Sequence, residues 1–168
     1  SVEPVYGSDI HFDGEDIMII PEDKAADYTY DVYSVNDEYK DTIRTTYRMN
    51  NENIHWSFKE ELPDGVAFNE KTQTFTVSCN AEENDINAVC STDNNVKVLH
   101  TFKIRSIETE YNSLLNKLMN LSVTAKEQLE EELKQLREEY GSAPEGENAV
   151  KAYEKLKELY AKHTEPYS

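Results

Sequence analysis
Basic side chains are scarce in this sequence: 17 Lys and Arg stand against 34 Asp and Glu, a net charge of −17. A phosphate-binding surface needs a basic footprint, so nucleic acid is excluded as a partner. Docking on an anionic membrane is excluded for the same reason. The acid surplus reads instead as solubility through self-repulsion. Long hydrophobic runs are missing too. Nothing approaches 18 consecutive apolar residues, so no segment is expected to insert into a bilayer. No secretory-signal pattern opens the chain at Ser1-Val2-Glu3-Pro4. It reads as a mature or excised portion of something longer, and localisation is left open by the start of the chain.

Only two cysteines occur, Cys79 and Cys90, separated by ten residues rich in Glu, Asn and Asp. That spacer, with Asn80 to Asn95 around it, reads as a long polar loop, a kind often functional or mobile. A disulfide closing it would stabilise by about 2–3 kcal/mol. Alternatively Cys79 is a small residue on the inward face of its strand and Cys90 an ordinary loop thiol. Both readings stay open. Two cysteines and four scattered histidines show no zinc-ligand spacing. Catalytic signatures are lacking as well, with no G-x-S-x-G elbow and no Cys-His context. Carboxylates are so plentiful that no pair can be singled out for glycoside hydrolysis. Enzyme activity is not expected.

What the chain does contain is alternation. Ile54, Trp56 and Phe58 interleave with His55, Ser57 and Lys59, the period of a half-buried strand. Leu62-Pro63-Asp64-Gly65 makes a turn, with Pro63 fixing φ and Gly65 free to take φ > 0. Phe75, Val77 and Cys79 then alternate with Thr74, Thr76 and Ser78. The order W-S-x-x-x-x-L-P-x-G-x-x-F-x-x-x-T-x-x-x-x-V, carried by Trp56, Ser57, Leu62, Pro63, Gly65, Phe68, Thr72 and Val77, resembles the Ig-like and cadherin-like modules of bacterial surface proteins. Those modules usually place Gly after the Thr and Gly-Thr-Pro near the strand end, where this chain has Gln73 and Ser78-Cys79-Asn80. The resemblance covers about a quarter of the chain. It implies an extracellular or cell-surface setting and a role as spacer, adhesin or accessory domain, without naming a ligand.

Further strands are expected at Ile17–Ile20, ended by Pro21, and at 28–33, where Tyr28, Tyr30 and Val32 alternate with Thr29, Asp31 and Tyr33. Another is expected at 43–49, between polar turns at 36–41 and 50–53, and a last one at 96–105, with Val96, Val98, His100, Phe102 and Ile104 on one face. Residues 1–106 therefore read as an Ig-like antiparallel β-sandwich. The period then changes. Ile107, Tyr111, Leu114, Leu115 and Leu118 form one helical stripe. Thr124 and Glu127 form a capping box for a helix near Ala125 carrying Leu129, Leu133, Leu136 and Tyr140, stopped by Gly141. A last helix carries Val150, Tyr153, Leu156, Leu159 and Tyr160. Residues 107–168 thus read as a helical hairpin or three-helix unit. Each helix has a single apolar stripe, so the stripes must bury against one another, the sandwich, a partner helix or a second copy of the chain.

Two groups of residues are candidate binding sites. Asp9, Asp13, Glu15 and Asp16 crowd a turn bent at Asp13-Gly14, and carboxylates at that density suit calcium, which the resemblance to cadherin-like modules also implies. No EF-hand ladder accompanies them. Tyrosine rings present flat apolar faces with a polar tip, suited to stacking on pyranose sugars. Tyr33, out of phase with Tyr30, and Tyr39, in a turn, are the candidates. Trp56 is in phase with its apolar neighbours and is assigned to the core. His100 is assigned to the core by its period, and His55 and Lys59 to the solvated side of a strand. The sequence therefore reads as a non-catalytic surface module, spacer or protein-interaction domain, with a carbohydrate-binding accessory module as the alternative. Its partner is a protein or a surface polysaccharide.

Overall fold
The structure is a computed structural model and describes residues 8–36, 54–93 and 96–165. It divides into two compact units, with the boundary between Ile104 and Arg105. Among the described residues the first holds nine strands: β1 (Ser8–Asp13), β2 (Ile17–Ile19), β3 (Ala26–Thr29), β4 (Asp31–Asn36), β5 (Ile54–Phe58), β6 (Val66–Asn69), β7 (Thr74–Val77), β8 (Asn84–Thr92) and β9 (Lys97–Arg105). They form three sheets with the orders β1-β4, β2-β9-β8-β5 and β3-β7-β6. β1 with β4, β5 and β9 with β8, and β3 and β6 with β7 are antiparallel. A β-rich unit followed by a helical one is the observed class.

Two sheets share one core. Phe75 and Val77 from β7 pack with Met18 from β2, Ile86 and Ala88 from β8, and Phe102 and Ile104 from β9. Phe75 and Phe102 have no exposed surface, and burying each stabilises by about 1.5–3 kcal/mol. A second cluster joins Ile10, Val32, Ile54 and Cys90.

The segment 28–33 is not one strand but two. At Tyr30 the chain passes from β3, beside β7, to β4, beside β1, and the Tyr30 N–H donates to the Gln73 carbonyl (2.9 Å) at the crossing. Within the segment 80–95, residues 84–92 are strand and not loop. β8 runs through it, pairing Asn84–Ser91 with β9 and Ala88–Thr92 with β5. Its inward residues Ile86, Ala88, Cys90 and Thr92 are buried, but three are small, so the apolar signal is faint. β1 and β6 also lie where no strand is expected. The turn at 62–65 forms as anticipated: Val66 N–H donates to the Pro63 carbonyl (3.1 Å), and Gly65 has φ 83°. A Cβ there would stand 3.0 Å from the Ala81 backbone. The strand expected at 43–49 and its flanking turns lie outside the described residues, apart from Asn36, which closes β4.

The second unit comprises α1 (Ile107–Met119), α2 (Lys126–Tyr140) and α3 (Gly146–Thr164). Ser106 caps α1, its Oγ accepting from the Thr109 N–H (3.2 Å), worth about 1 kcal/mol. The Thr124–Glu127 capping box does not form: Ala125 occupies the N-cap with no side-chain bond. Gly141 ends α2 at φ 95°, its N–H donating to the Arg137 carbonyl. The stripes bury against one another in a core of Tyr111, Leu115, Leu118, Leu129, Leu133, Leu136, Ala152 and Leu156. The buried face of α3 is rotated from the expected one. Ala149 and Ala152 face inward beside Leu156, while Val150 is 41% exposed, because small side chains let α3 approach both α1 and α2.

Candidate functional site
The densest group of aromatic and titratable side chains lies where the β1–β2 turn meets β9, β5 and the residues ahead of β7. Trp56 is its centre. The indole lies within 5.4–5.6 Å, centroid to centroid, of Phe12, Phe68 and Phe102, and stacks near Phe58 at 6.4 Å. Its Nε1–H donates to the Gln73 Oε1. Gln73 is 1% exposed, and its Nε2 donates to the Glu70 carbonyl (2.9 Å). Its backbone has φ 55°, a left-handed conformation costing a side-chain-bearing residue about 1–2 kcal/mol. One residue thus anchors the indole, closes the turn before β7 and receives the Tyr30 N–H. Nothing in the sequence pattern singled it out except that the resembling modules carry Gly there.

The acidic turn is built around Gly14, whose φ of 127° leaves a Cβ only 2.7 Å from the Tyr30 ring. The Tyr30 hydroxyl donates to the Glu15 carbonyl. Burial, with the charges of Asp16 and Glu15, raises its pKa far out of reach of proton transfer. Tyr28 is a second tether: its hydroxyl donates to the Ile19 carbonyl (2.6 Å) and accepts the Ile19 N–H (3.0 Å). Asp16 Oδ1 lies 2.9 Å from His100 Nε2, and the imidazole stacks on Phe12 at 4.0 Å. His100 is thus a partnered, partly buried histidine holding β9 to the turn. His55 is half exposed, with Nε2 2.7 Å from Asp93 Oδ1, so its outward side is hydrogen-bonded rather than merely solvated.

The turn's carboxylates do not converge. Among the described residues no three His, Cys, Asp or Glu side chains gather as a metal site. Asp13, Glu15 and Asp16 are exposed, and Asp16 is engaged by His100. Asp9 lies in β1, with its side chain outside the described residues, so the four-residue calcium set is not assembled by the described groups. Of the sugar-binding candidates, Tyr39 lies outside the described residues, as does the side chain of Tyr33 in β4. Cys79 and Cys90 are free thiols. The proposed bridge is not formed, because Cys90 points into the apolar cluster of Ile10, Val32 and Ile54, whereas Cys79 follows β7 in a different sheet and its thiol faces Asn80. Burial pushes the Cys90 thiol up to about 12. These groups can hold a fold together.

No family model matches the chain, and no curated protein does. Among solved structures, 63% of the chain aligns with 19% of a Bacteroides fragilis protein provisionally described as an alpha-galactosidase, at 13% identity and a TM-score of 0.38. The chain spans about a fifth of that protein's length, and a likeness this slight fixes neither fold type nor activity.

Proposed function
We propose that the chain is a non-catalytic, extracellular surface module of a larger bacterial protein, an Ig-like β-sandwich followed by a helical unit, acting as a spacer or protein-interaction domain. The observation that carries this reading is the anchoring of Trp56. Its indole packs among four phenylalanines and is tied to Gln73, which supports reading the chain's one tryptophan as packing between sheets rather than as a ligand platform. Two further features support it. The sheets β2-β9-β8-β5 and β3-β7-β6 share one apolar cluster, as the layers of a sandwich do. The left-handed φ at Gln73 falls where the resembling modules carry Gly, the residue that adopts it without strain.

The test is to incubate the purified chain with chromogenic glycosides and to run it through gels containing soluble polysaccharides. Neither turnover nor retardation is expected. Retardation by a glucan that disappears in Tyr33→Ala or Tyr39→Ala would replace this reading with a carbohydrate-binding module. Turnover abolished by one carboxylate substitution would replace it with an enzyme.

A further inference from the structure
The cations of the helical unit are not evenly matched with its acids. Lys151, Lys155, Lys157 and Lys162 each pair with a glutamate at 2.8–3.7 Å. Lys117 lies over the Tyr160 ring. Among the described residues, Lys126, Lys134 and Arg137 have no carboxylate within ion-pair distance, although acids outnumber bases two to one in the chain. All three line the same open cleft of about 460 Å³. Lys126 Nζ donates to the carbonyls of Met119 and Leu121 at the end of α1 (2.9 and 3.1 Å). The Arg137 guanidinium donates only to the Met119 thioether (2.8 Å), a weak acceptor. Met119, 47% exposed, and Leu133 give the cleft an apolar floor.

From this juxtaposition we propose that the cleft beside α2 docks an acidic amphipathic segment of a partner protein. Positions 126, 130, 133, 134 and 137 recur on one face of α2, so the cations span about 16 Å along the helix at 1.5 Å per residue. A single compact anion meets one of them; successive carboxylates on a peptide meet all three. Glu130 and Glu138 also line the cleft, which selects against a dense polyanion such as nucleic acid and favours a segment whose carboxylates flank apolar side chains. An exposed methionine suits such a side chain because its unbranched thioether adapts to varied shapes. Arg137, lacking a competing carboxylate, is free to engage a partner's carboxylate in bidentate fashion.

The inference rests on the interaction-module reading and specifies the partner's chemistry. Fluorescence anisotropy of a labelled peptide bearing Glu and Leu at helical spacing, titrated with the full chain, tests it. Saturable binding is expected, weaker at high salt. Lys134→Glu with Arg137→Glu should weaken it about tenfold. Lys151→Glu with Lys155→Glu, an equal change in net charge outside the cleft, should weaken it less than about twofold. Met119→Gln, which removes apolar contact without adding charge, should also weaken binding, and far-ultraviolet circular dichroism should show that every variant keeps its helices, since none alters a buried residue. Absence of saturable binding, equal weakening by both charge-reversed pairs, or displacement of the peptide by inorganic phosphate or phosphatidylserine vesicles would overturn the proposal. The turnover assay above is independent of this one. An inert chain that ignores the peptide loses the cleft but keeps the module reading, and a chain that hydrolyses glycosides loses the module reading whatever it binds.

Discussion

Replacing Gln73 separates two opposing contributions at one position. Gln73→Ala removes the acceptor of the Trp56 indole N–H and the donor to the Glu70 carbonyl while leaving a Cβ on a backbone at φ 55°. Each hydrogen bond contributes about 0.5–1.5 kcal/mol, and a donor left buried without a partner costs about 1–3 kcal/mol. The indole is only partly buried, so water recovers some of that loss. The net destabilisation is about 2–3 kcal/mol. Gln73→Gly loses the same bonds but gains about 1–2 kcal/mol by removing the left-handed penalty, offset in part by the extra freedom of an unfolded glycine. The glycine variant should therefore be the more stable of the two by about 1 kcal/mol, with both below the parent. Trp56 is the only tryptophan and lies in the first unit, so its fluorescence during urea unfolding reports that unit alone. At a typical m of about 1–3 kcal/mol per molar urea, the alanine variant should lose about 1–2 M in midpoint. An alanine variant as stable as the glycine one would refute the left-handed assignment, and a parent no more stable than either would refute the indole anchor.

The remaining predictions concern charge and thiol chemistry. Burial works against ionisation of Glu132, but hydrogen bonds and charge from Lys162 and His163 (2.8 Å each) outweigh it and lower its pKa. A carboxylate lowered in the folded state stabilises above its unfolded pKa, and that stability fades as pH falls through the folded value. Helical ellipticity at fixed mild denaturant should thus decline on acidification below the ordinary glutamate range, and Glu132→Gln should flatten that limb of the titration; an unchanged limb would remove the α2–α3 tie from consideration. A chromogenic disulfide reagent should modify one thiol, Cys79, in the native chain and reach Cys90 only after denaturant is added, since Cys90 is buried. Two thiols reacting at equal rates would contradict the placement of β8. Gly14→Ala should destabilise the first unit by roughly 2 kcal/mol, read as a lower urea midpoint than any surface change gives, through a left-handed φ and a clash with the Tyr30 ring.

Period was legible where apolar side chains are large. The Trp56 strand, β7, β9 and all three helices follow from residues such as Phe58, Phe75, Phe102, Leu115 and Leu133 recurring at two or at three to four positions. Where the buried side chains are small, the signal fails. β8 buries Ala88, Cys90 and Thr92, which resemble loop residues when read in isolation, and α3 turns Ala149 and Ala152 inward in preference to Val150. β1 was hidden differently, since Asp9 and Asp13 read as part of an acidic turn, and His11 and Asp13 are exposed. The split of 28–33 into two strands was not legible at all, because alternation continues unbroken through Tyr30 while the hydrogen-bonding partner changes from β7 to β1.

The described tyrosines show a structural use for clustered phenols in this chain. Clustered phenols suggest a sugar platform, yet Tyr28 and Tyr30 both direct their hydroxyls at backbone carbonyls, that of Ile19 at the far end of β2 and that of Glu15 in the β1–β2 turn. A polar turn next to an apolar core leaves carbonyls that must be satisfied, and a tyrosine does this without interrupting the core, since its ring packs while its tip bonds. Tyr28 and Tyr30 are thus accounted for by folding constraints. A binding role for a tyrosine here therefore requires a hydroxyl without a backbone partner and a ring face open to solvent. Tyr28 fails the first requirement and Tyr30 fails both, being 1% exposed, so substitution at Tyr33 and Tyr39, the candidates read from the sequence, decides between a spacer and a sugar binder.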